Sequence, residues 1–481
     1  MSLVNRSGSA FMLTLVALAA CADDTTAPTG PSAAGPAAAK GPAPGGGIPT
    51  RAQERPGTFA DMADEALWRH IAFSDGRAVV GIKAPGAARG VWRGEVLVDR
   101  AAASQARQAV ARHPGVTLVA ADDLLPVLDV VIASAEAFRK LRRLPMVDYI
   151  EPVRARDDIA QWGAVGGCGW PDAWTGEPLV STGGGDRYSV RFDAMQIPAA
   201  WDVLSSGGRR TSGAGVTIGS IDTGISFDQA ELRGGFAGGS VPDRTVRHVY
   251  LSSLGSSDDA CGHGTRMAGV IAAPDDGRSV MGVAWGANLV NVRHANGVAN
   301  VSSSDARASV RAAGNAGARV VSMAWQSLNW WWQVSDEIRW WHRNRGVLFL
   351  GAAGTSGCGD LILDDNVVFP ADMGEVMAVT GISYPQGGVP CGIHRGGDVE
   401  LTAYLDVPTT GRSTGQVTSI GGSSNATAVV AGVAALVWQA NPTLSRDQVR
   451  ARLQASGAFW PSRSGSQGFG LVNARRAVTG Q

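Results

Sequence analysis

Three short runs hold residues able to do nucleophilic chemistry. The largely apolar Val216-Thr217-Ile218-Gly219-Ser220-Ile221 ends on Asp222-Thr223-Gly224. Gly262-His263-Gly264 opens a stretch of mainly small and apolar residues reaching Ala272, and Gly421-Gly422-Ser423-Ser424-Asn425 opens a longer one reaching Ala440. A serine hydroxyl is a weak nucleophile at neutral pH unless a base removes its proton during attack. Histidine is the usual base, and a carboxylate can hold its tautomer and stabilise the imidazolium. Asp222, His263 and Ser424 supply these types in that order, 41 and 161 residues apart. Singly, each has an ordinary reading: a turn-capping Asp, a structural His, a Ser N-cap.

The elements expected around them suit the chemistry. A continuous buried strand delivers Asp222 at its C-terminal end, where open α/β sheets place their sites. Glycines on both sides of His263 permit close backbone approach. A serine in the first turn of a buried helix sits among unpaired N–H groups at the positive end of the dipole, which can hold an oxyanion.

Together the three runs resemble the subtilisin-like (subtilase, peptidase family S8) serine peptidases, whose chain order is also Asp, His, Ser. Further blocks support this in sequence: Gly282-Val283-Ala284-Trp285-Gly286-Ala287, Leu289-Val290-Asn291-Val292-Arg293, Phe369-Pro370-Ala371 and Gly468-Phe469-Gly470-Leu471-Val472-Asn473-Ala474. The resemblance covers about 200–480 closely and 85–152 more loosely. It implies an α/β fold, a three-layer sandwich with a mostly parallel central sheet, preceded by a small ferredoxin-like α+β prodomain. It implies Asp222, His263 and Ser424 as the catalytic triad, and an oxyanion hole made by Ser424 and the residue at 355. Gly351-Ala352-Ala353-Gly354 and Ala324-Trp325-Gln326 then line the first substrate pocket, with Gly297 on the opposite wall.

The match departs from the family at several points. Thr355 stands where the oxyanion Asn is expected, and its hydroxyl is shorter than a carboxamide. Ala428 replaces a proline four residues after the nucleophile, and Trp325 and Gln326 replace a Leu-Gly pair. The tryptophans of 330–332 and 340–341 are expected either to rim the substrate site or to cover the following helix. No cofactor is required, and no metal enters the reaction. Calcium is admitted as a structural ion, with Glu231 and Asp275-Asp276 in matching positions.

The chain has 481 residues, enough for two or three domains. Lys+Arg and Asp+Glu each number 42, so no net field recruits nucleic acid. Residues 11–20, behind Arg6, are too short to span a bilayer and have the size of a signal-peptide core. They run into Leu18-Ala19-Ala20-Cys21, which resembles the lipobox of bacterial lipoproteins and implies lipidation of Cys21 and a membrane anchor. The alternative is an ordinary secretory signal and a secreted protein, and both readings export the chain. Residues 1–20 are thus read as a signal peptide. The Ala/Pro/Gly-rich 21–55 is read as a flexible linker.

Residues 56–155 alternate strand and helix: strands at 91–98, 116–120, 127–132 and 147–150, helices at 104–113 and 134–143 with Ser134 as cap. The run 138–152 resembles the end of subtilisin-family propeptides, which implies that this domain chaperones and inhibits its own peptidase. A junction, 156–195, precedes the peptidase domain, 196–481. Cys168, Cys261, Cys358 and Cys391 allow three pairings in an exported chain, of which Cys168–Cys261 with Cys358–Cys391 is preferred.

The expected function is an exported serine endopeptidase acting on proteins or peptides and made as a self-cleaved zymogen. The competing reading is a catalytically impaired peptide-binding lipoprotein of the same fold.

Overall fold

The computed structural model describes residues 58–83, 100–154, 168, 176–182, 185–205, 211–233, 244–298, 302–358 and 365–481. The signal-like stretch, Cys21, the linker and residues 91–98 lie outside these residues.

The small domain runs α1 (Asp64–Phe73), β1 (Arg77–Ile82), α2 (Arg100–Ala111), β2 (Val116–Ala121), β3 (Val127–Ile132), α3 (Ala135–Arg142) and β4 (Val147–Pro152). Its antiparallel sheet has the order β2-β3-β1-β4, the expected ferredoxin-like arrangement. Ser134 caps α3 by accepting from the Ala137 amide at 3.2 Å, and Arg139, Lys140 and Arg142 in the last turn complement the helix dipole. The first strand of this sheet is 77–82, which the sequence pattern did not suggest. It is buried along almost its whole length, so it lacks the alternation that marks a half-exposed strand. The helix expected from 104 begins at 100.

The larger domain is built on seven parallel strands: β5 (Thr217–Asp222), β6 (Val246–Tyr250), β7 (Asn288–Arg293), β8 (Val320–Met323), β9 (Leu348–Ala352), β10 (Val376–Ile382) and β11 (Val399–Tyr404). Their order is β11-β10-β9-β8-β5-β7-β6. Helices on both faces are α4 (Ile197–Leu204), α5 (His263–Ala272), α6 (Ser303–Asn315), α7 (Trp332–Arg345), α8 (Ser423–Ala440), α9 (Arg446–Ser456) and α10 (Ala474–Thr479). This is the three-layer α/β arrangement anticipated from the sequence.

Helix α8 is apolar all round and buried from Asn425 to Trp438, as a helix running through a core must be. At Gly432 a Cβ would come within 2.6 Å of Val283 Cβ, so the helix lies close against 282–284 only because that side chain is missing. A charge at Val433, which has no exposed surface, would break this packing by several kcal/mol.

Helices α6 and α7 carry the small domain. One sheet face packs on its own helices through Val80, Leu128, Val130 and Ile150 with Phe138 and Leu141. The other face presents Val79, Val127 and Tyr149 to Trp332. Around that apolar contact Arg307 pairs with Asp129 at 2.8 Å, and Arg311 lies between Asp122, at 2.8 Å, and Glu337. Burial alone would raise the Asp122 carboxyl, but the bond and charge of Arg311 with the Leu124 and Leu125 amides hold it below its usual range.

The tryptophans decide between their two readings here. Trp331, Trp332 and Trp341 are buried, and Trp331 meets Phe59 with ring centroids 4.7 Å apart. They form the seat of the small domain and the core beneath it, so the expectation of a substrate rim is corrected. Aromatic area is best spent where another surface can cover it.

Candidate active site

Asp222 is the last residue of β5, and His263 is the first of α5. Gly262 holds φ 84°, a left-handed conformation that favours glycine, and turns the chain into the helix. A Cβ at Gly264 would overlap the Gly224 carbonyl, so α5 can approach the end of β5 only with glycine there. This closeness sets His263 Nδ1 2.8 Å from Asp222 Oδ1, with both side chains buried. The same Asp222 oxygen accepts from the Thr223 amide at 2.7 Å. With Nδ1 engaged, Nε2 is the ring atom left for proton transfer.

Asp259 secures that helix start. Its carboxylate accepts from the amides of Gly262 (2.7 Å) and Thr265 (2.8 Å), and from the Thr223 (2.8 Å) and Thr265 (2.7 Å) hydroxyls. Four donors at the positive end of α5 thus share one buried anion. The sequence reading did not single out Asp259. An acid four residues before a helix-starting histidine was the available signal.

The Ser423-Ser424 pair divides cleanly. Ser423 is fully buried, donates to the Gly354 carbonyl at 2.9 Å and accepts from the Gly354 amide at 3.1 Å. Its hydroxyl ties α8 to the loop after β9. Ser424 faces a cavity of about 370 Å³ whose walls also include His263, Trp325, Gln326, Thr355 and Ile393. Its hydroxyl donates to the Ala324 carbonyl at 3.2 Å.

Thr355 reaches the same place. Its Oγ1 accepts from the Ser423 amide at 3.2 Å and lies 3.2 Å from Ser423 Oγ, at the N-terminus of α8. Ala324, Trp325, Gln326 and Ala352 line the cavity, whereas Gly351, Ala353 and Gly354 are buried and do not line it. Gly297 lies against Cys168, whose sulfur is 3.6 Å from where its Cβ would stand. Both preferred disulfides form, Cys168–Cys261 and Cys358–Cys391. The first lies two residues before His263, and Cys391 of the second lines the cavity.

Two further residues were not read from the sequence. His294, just past β7, is buried against Trp325 with ring centroids 5.2 Å apart, and its amide donates to the Asp222 carbonyl at 3.0 Å. Burial, and secondarily the charge of His263, push its imidazole down to about 3, so it stays neutral. Asp406, at φ 54°, also lines the cavity, and burial pushes its carboxyl up against the opposing pull of Arg191. Both follow the C-terminal ends of strands, the one positional clue available.

Glu231 gives one oxygen to the Ser279 hydroxyl (2.6 Å) and the other to the Gly415 amide (2.7 Å). Among the described residues no group of three or more His, Cys, Asp or Glu is assembled to hold a metal ion.

Residues 213–470 match the subtilase family, Peptidase_S8. The chain is 33% identical over 293 residues to M-protease of Shouchella clausii, covering 59% of this chain and 68% of that relative. It is 32% identical over 293 residues to subtilisin Savinase of Lederbergia lenta, covering 59% of this chain and 96% of the other. Fervidolysin from Fervidobacterium pennivorans, a keratinolytic enzyme related to subtilisin, shares the fold with a TM-score of 0.60 over 84% of this chain at 19% identity. This chain spans 61% of that structure's length.

Proposed function

The chain belongs to the subtilase family and is a serine-type endopeptidase, and we propose that it cuts peptide bonds through Ser424, His263 and Asp222. The observation that carries this assignment is the buried 2.8 Å contact of His263 with Asp222 beside a cavity that Ser424 also lines.

In this reaction Ser424 Oγ attacks the substrate carbonyl carbon while His263 Nε2 takes the hydroxyl proton. Asp222 keeps the Nδ1 proton in place and stabilises the imidazolium. The oxyanion forms beside the first turn of α8, where the Ser424 amide and the Thr355 hydroxyl are the donors. His263 then gives its proton to the leaving amine as the C–N bond breaks. Water, deprotonated by His263, hydrolyses the acyl-enzyme and returns Ser424. No organic cofactor takes part.

The same reading includes synthesis as a zymogen. Tyr149, Glu151 and Val153 of the small domain contact α7 and the start of α6, which supports its role as an intramolecular chaperone and inhibitor. Self-cleavage then falls between about 152 and 189. Export rests on the signal-like 11–20 and the two disulfides, and lipid anchoring rests on the sequence around Cys21. Among the described residues no helix is long and apolar enough to cross a membrane.

The test compares the full chain with Ser424→Ala. The parent should react with a fluorophosphonate, hydrolyse casein and lose its small domain by mass, and the variant should do none of these. Equal labelling of the two proteins would refute the assignment.

A further inference from the structure

Strands β8 and β9 are paired in parallel with Met323 opposite Gly351. Past their C-terminal ends the chain continues as 324–326 and 353–355, the two walls of a crevice of the kind that binds ligands in open parallel sheets. The Ser424 hydroxyl donates to the Ala324 carbonyl on one of those walls, so an acyl group carried by Ser424 begins at the mouth of this crevice.

Gln326 spans it. Its Nε2 donates to the Thr355 carbonyl at 2.8 Å, and its Oε1 accepts from the Thr355 amide at 2.9 Å. One carboxamide therefore satisfies both backbone groups of Thr355. The Gln326 amide donates to the Val298 carbonyl at 3.1 Å, which draws the next wall onto the same residue. Gln326 is only 6% exposed, so the bridge is an interior contact. Pro390, Ile393, Leu405 and Ile420 complete the lining of the same cavity.

We propose that Gln326 is a latch across the acyl-side crevice, restricting this peptidase to glycine or alanine immediately before the cut bond. The proposal deepens the peptidase reading and rests on it. A larger side chain must displace a carboxamide held at two points and leave the Thr355 amide and carbonyl without partners, a penalty paid by no small residue.

The experiment uses the full chain after self-cleavage, with quenched-fluorescence peptides of one sequence carrying Gly, Ala, Leu or Phe before the cut. Cut positions are read by mass. The parent should favour Ala over Leu and Phe by at least roughly tenfold in kcat/KM. Gln326→Ala should raise the Leu-to-Ala and Phe-to-Ala ratios by roughly tenfold or more. Gln326→Glu keeps the size but sets a carboxylate against the Thr355 carbonyl, and should raise both ratios by a smaller factor. A parent that accepts Phe as well as Ala, or variants that react with fluorophosphonate yet keep the parent ratios, would overturn the latch alone. A parent that fails to react with fluorophosphonate would overturn the peptidase reading, and the latch with it.

Discussion

Glu151, at the end of the small domain's last strand, accepts the backbone amide of Trp332 at 2.6 Å. A second oxygen takes the Gln333 amide at 3.2 Å. One domain thus caps a helix of the other, and a fully buried carboxylate sits at the positive end of α7. Glu151→Ala leaves those two donors unpaired. It should lower the unfolding free energy of the uncleaved Ser424→Ala chain by about 1–3 kcal/mol, read from denaturant midpoints. Glu151→Gln, which keeps an acceptor, should cost less. Equal effects would show that charge, not hydrogen bonding, holds the contact.

Asp222 touches no substrate in the proposed reaction and acts through the His263 ring. Asp222→Asn should reduce kcat by about 10⁴-fold with little change in KM. Steady-state kinetics on one peptide decide this. A change carried mainly by KM would place Asp222 in substrate binding.

Thr355 already meets α8 through the Ser423 amide, but its hydroxyl reaches a shorter distance than a carboxamide would. Thr355→Asn should raise kcat, by up to roughly 10²-fold, at an unchanged KM. If turnover falls, the threonine hydroxyl is already aimed at the oxyanion.

The buried imidazoles of His294 and His342 and the half-buried one of His248 contribute to behaviour in acid. Burial pushes His294 and His342 down to about 3 and His248 down to about 4, with nearby positive charge adding in each case. The unfolded chain binds protons at these sites below about pH 6.5, whereas the folded chain does not until pH 3–4. Stability should therefore be constant through these groups above pH 6.5 and decline as pH falls, by up to about 1.4 kcal/mol per pH unit for each of His294 and His342 and by less for the half-buried His248. His342→Asn should flatten the measured slope between pH 6 and 4. An unchanged slope would assign acid sensitivity to other groups.

Cys391 lines the cavity and is bonded to Cys358, 33 residues away. Replacing both by serine should lower stability by about 2–4 kcal/mol through the greater freedom of the unfolded chain. KM should rise as well, because one wall of the cavity loses its tether. Calorimetry and peptide kinetics on the same preparation separate the two effects.

Much of this protein is legible in its sequence because the decisive features are local. Asp222 follows an uncharged strand, His263 stands between glycines, and Ser424 begins a run of small apolar residues that could only be a buried helix. Each depends on neighbours within a turn or a strand, so residue type and spacing determine it. The ferredoxin-like repeat was visible for the same reason, except at β1. There burial of both faces comes from other parts of the chain and erases the alternation.

What only the tertiary structure decided are contacts between distant segments. Nothing near residue 326 shows that Gln326 will pair with the backbone of Thr355, and nothing near Ser423 shows that its hydroxyl is spent on Gly354. The tryptophans of 331, 332 and 341 have the same composition whether they face substrate or the small domain. The fold buries them because Phe59 comes to lie on Trp331, Tyr149 of β4 on Trp332, and Gly314 of α6 against Trp341. Burial and hydrogen-bond pairing are properties of what comes to lie opposite a residue, and chain spacing alone leaves that choice open.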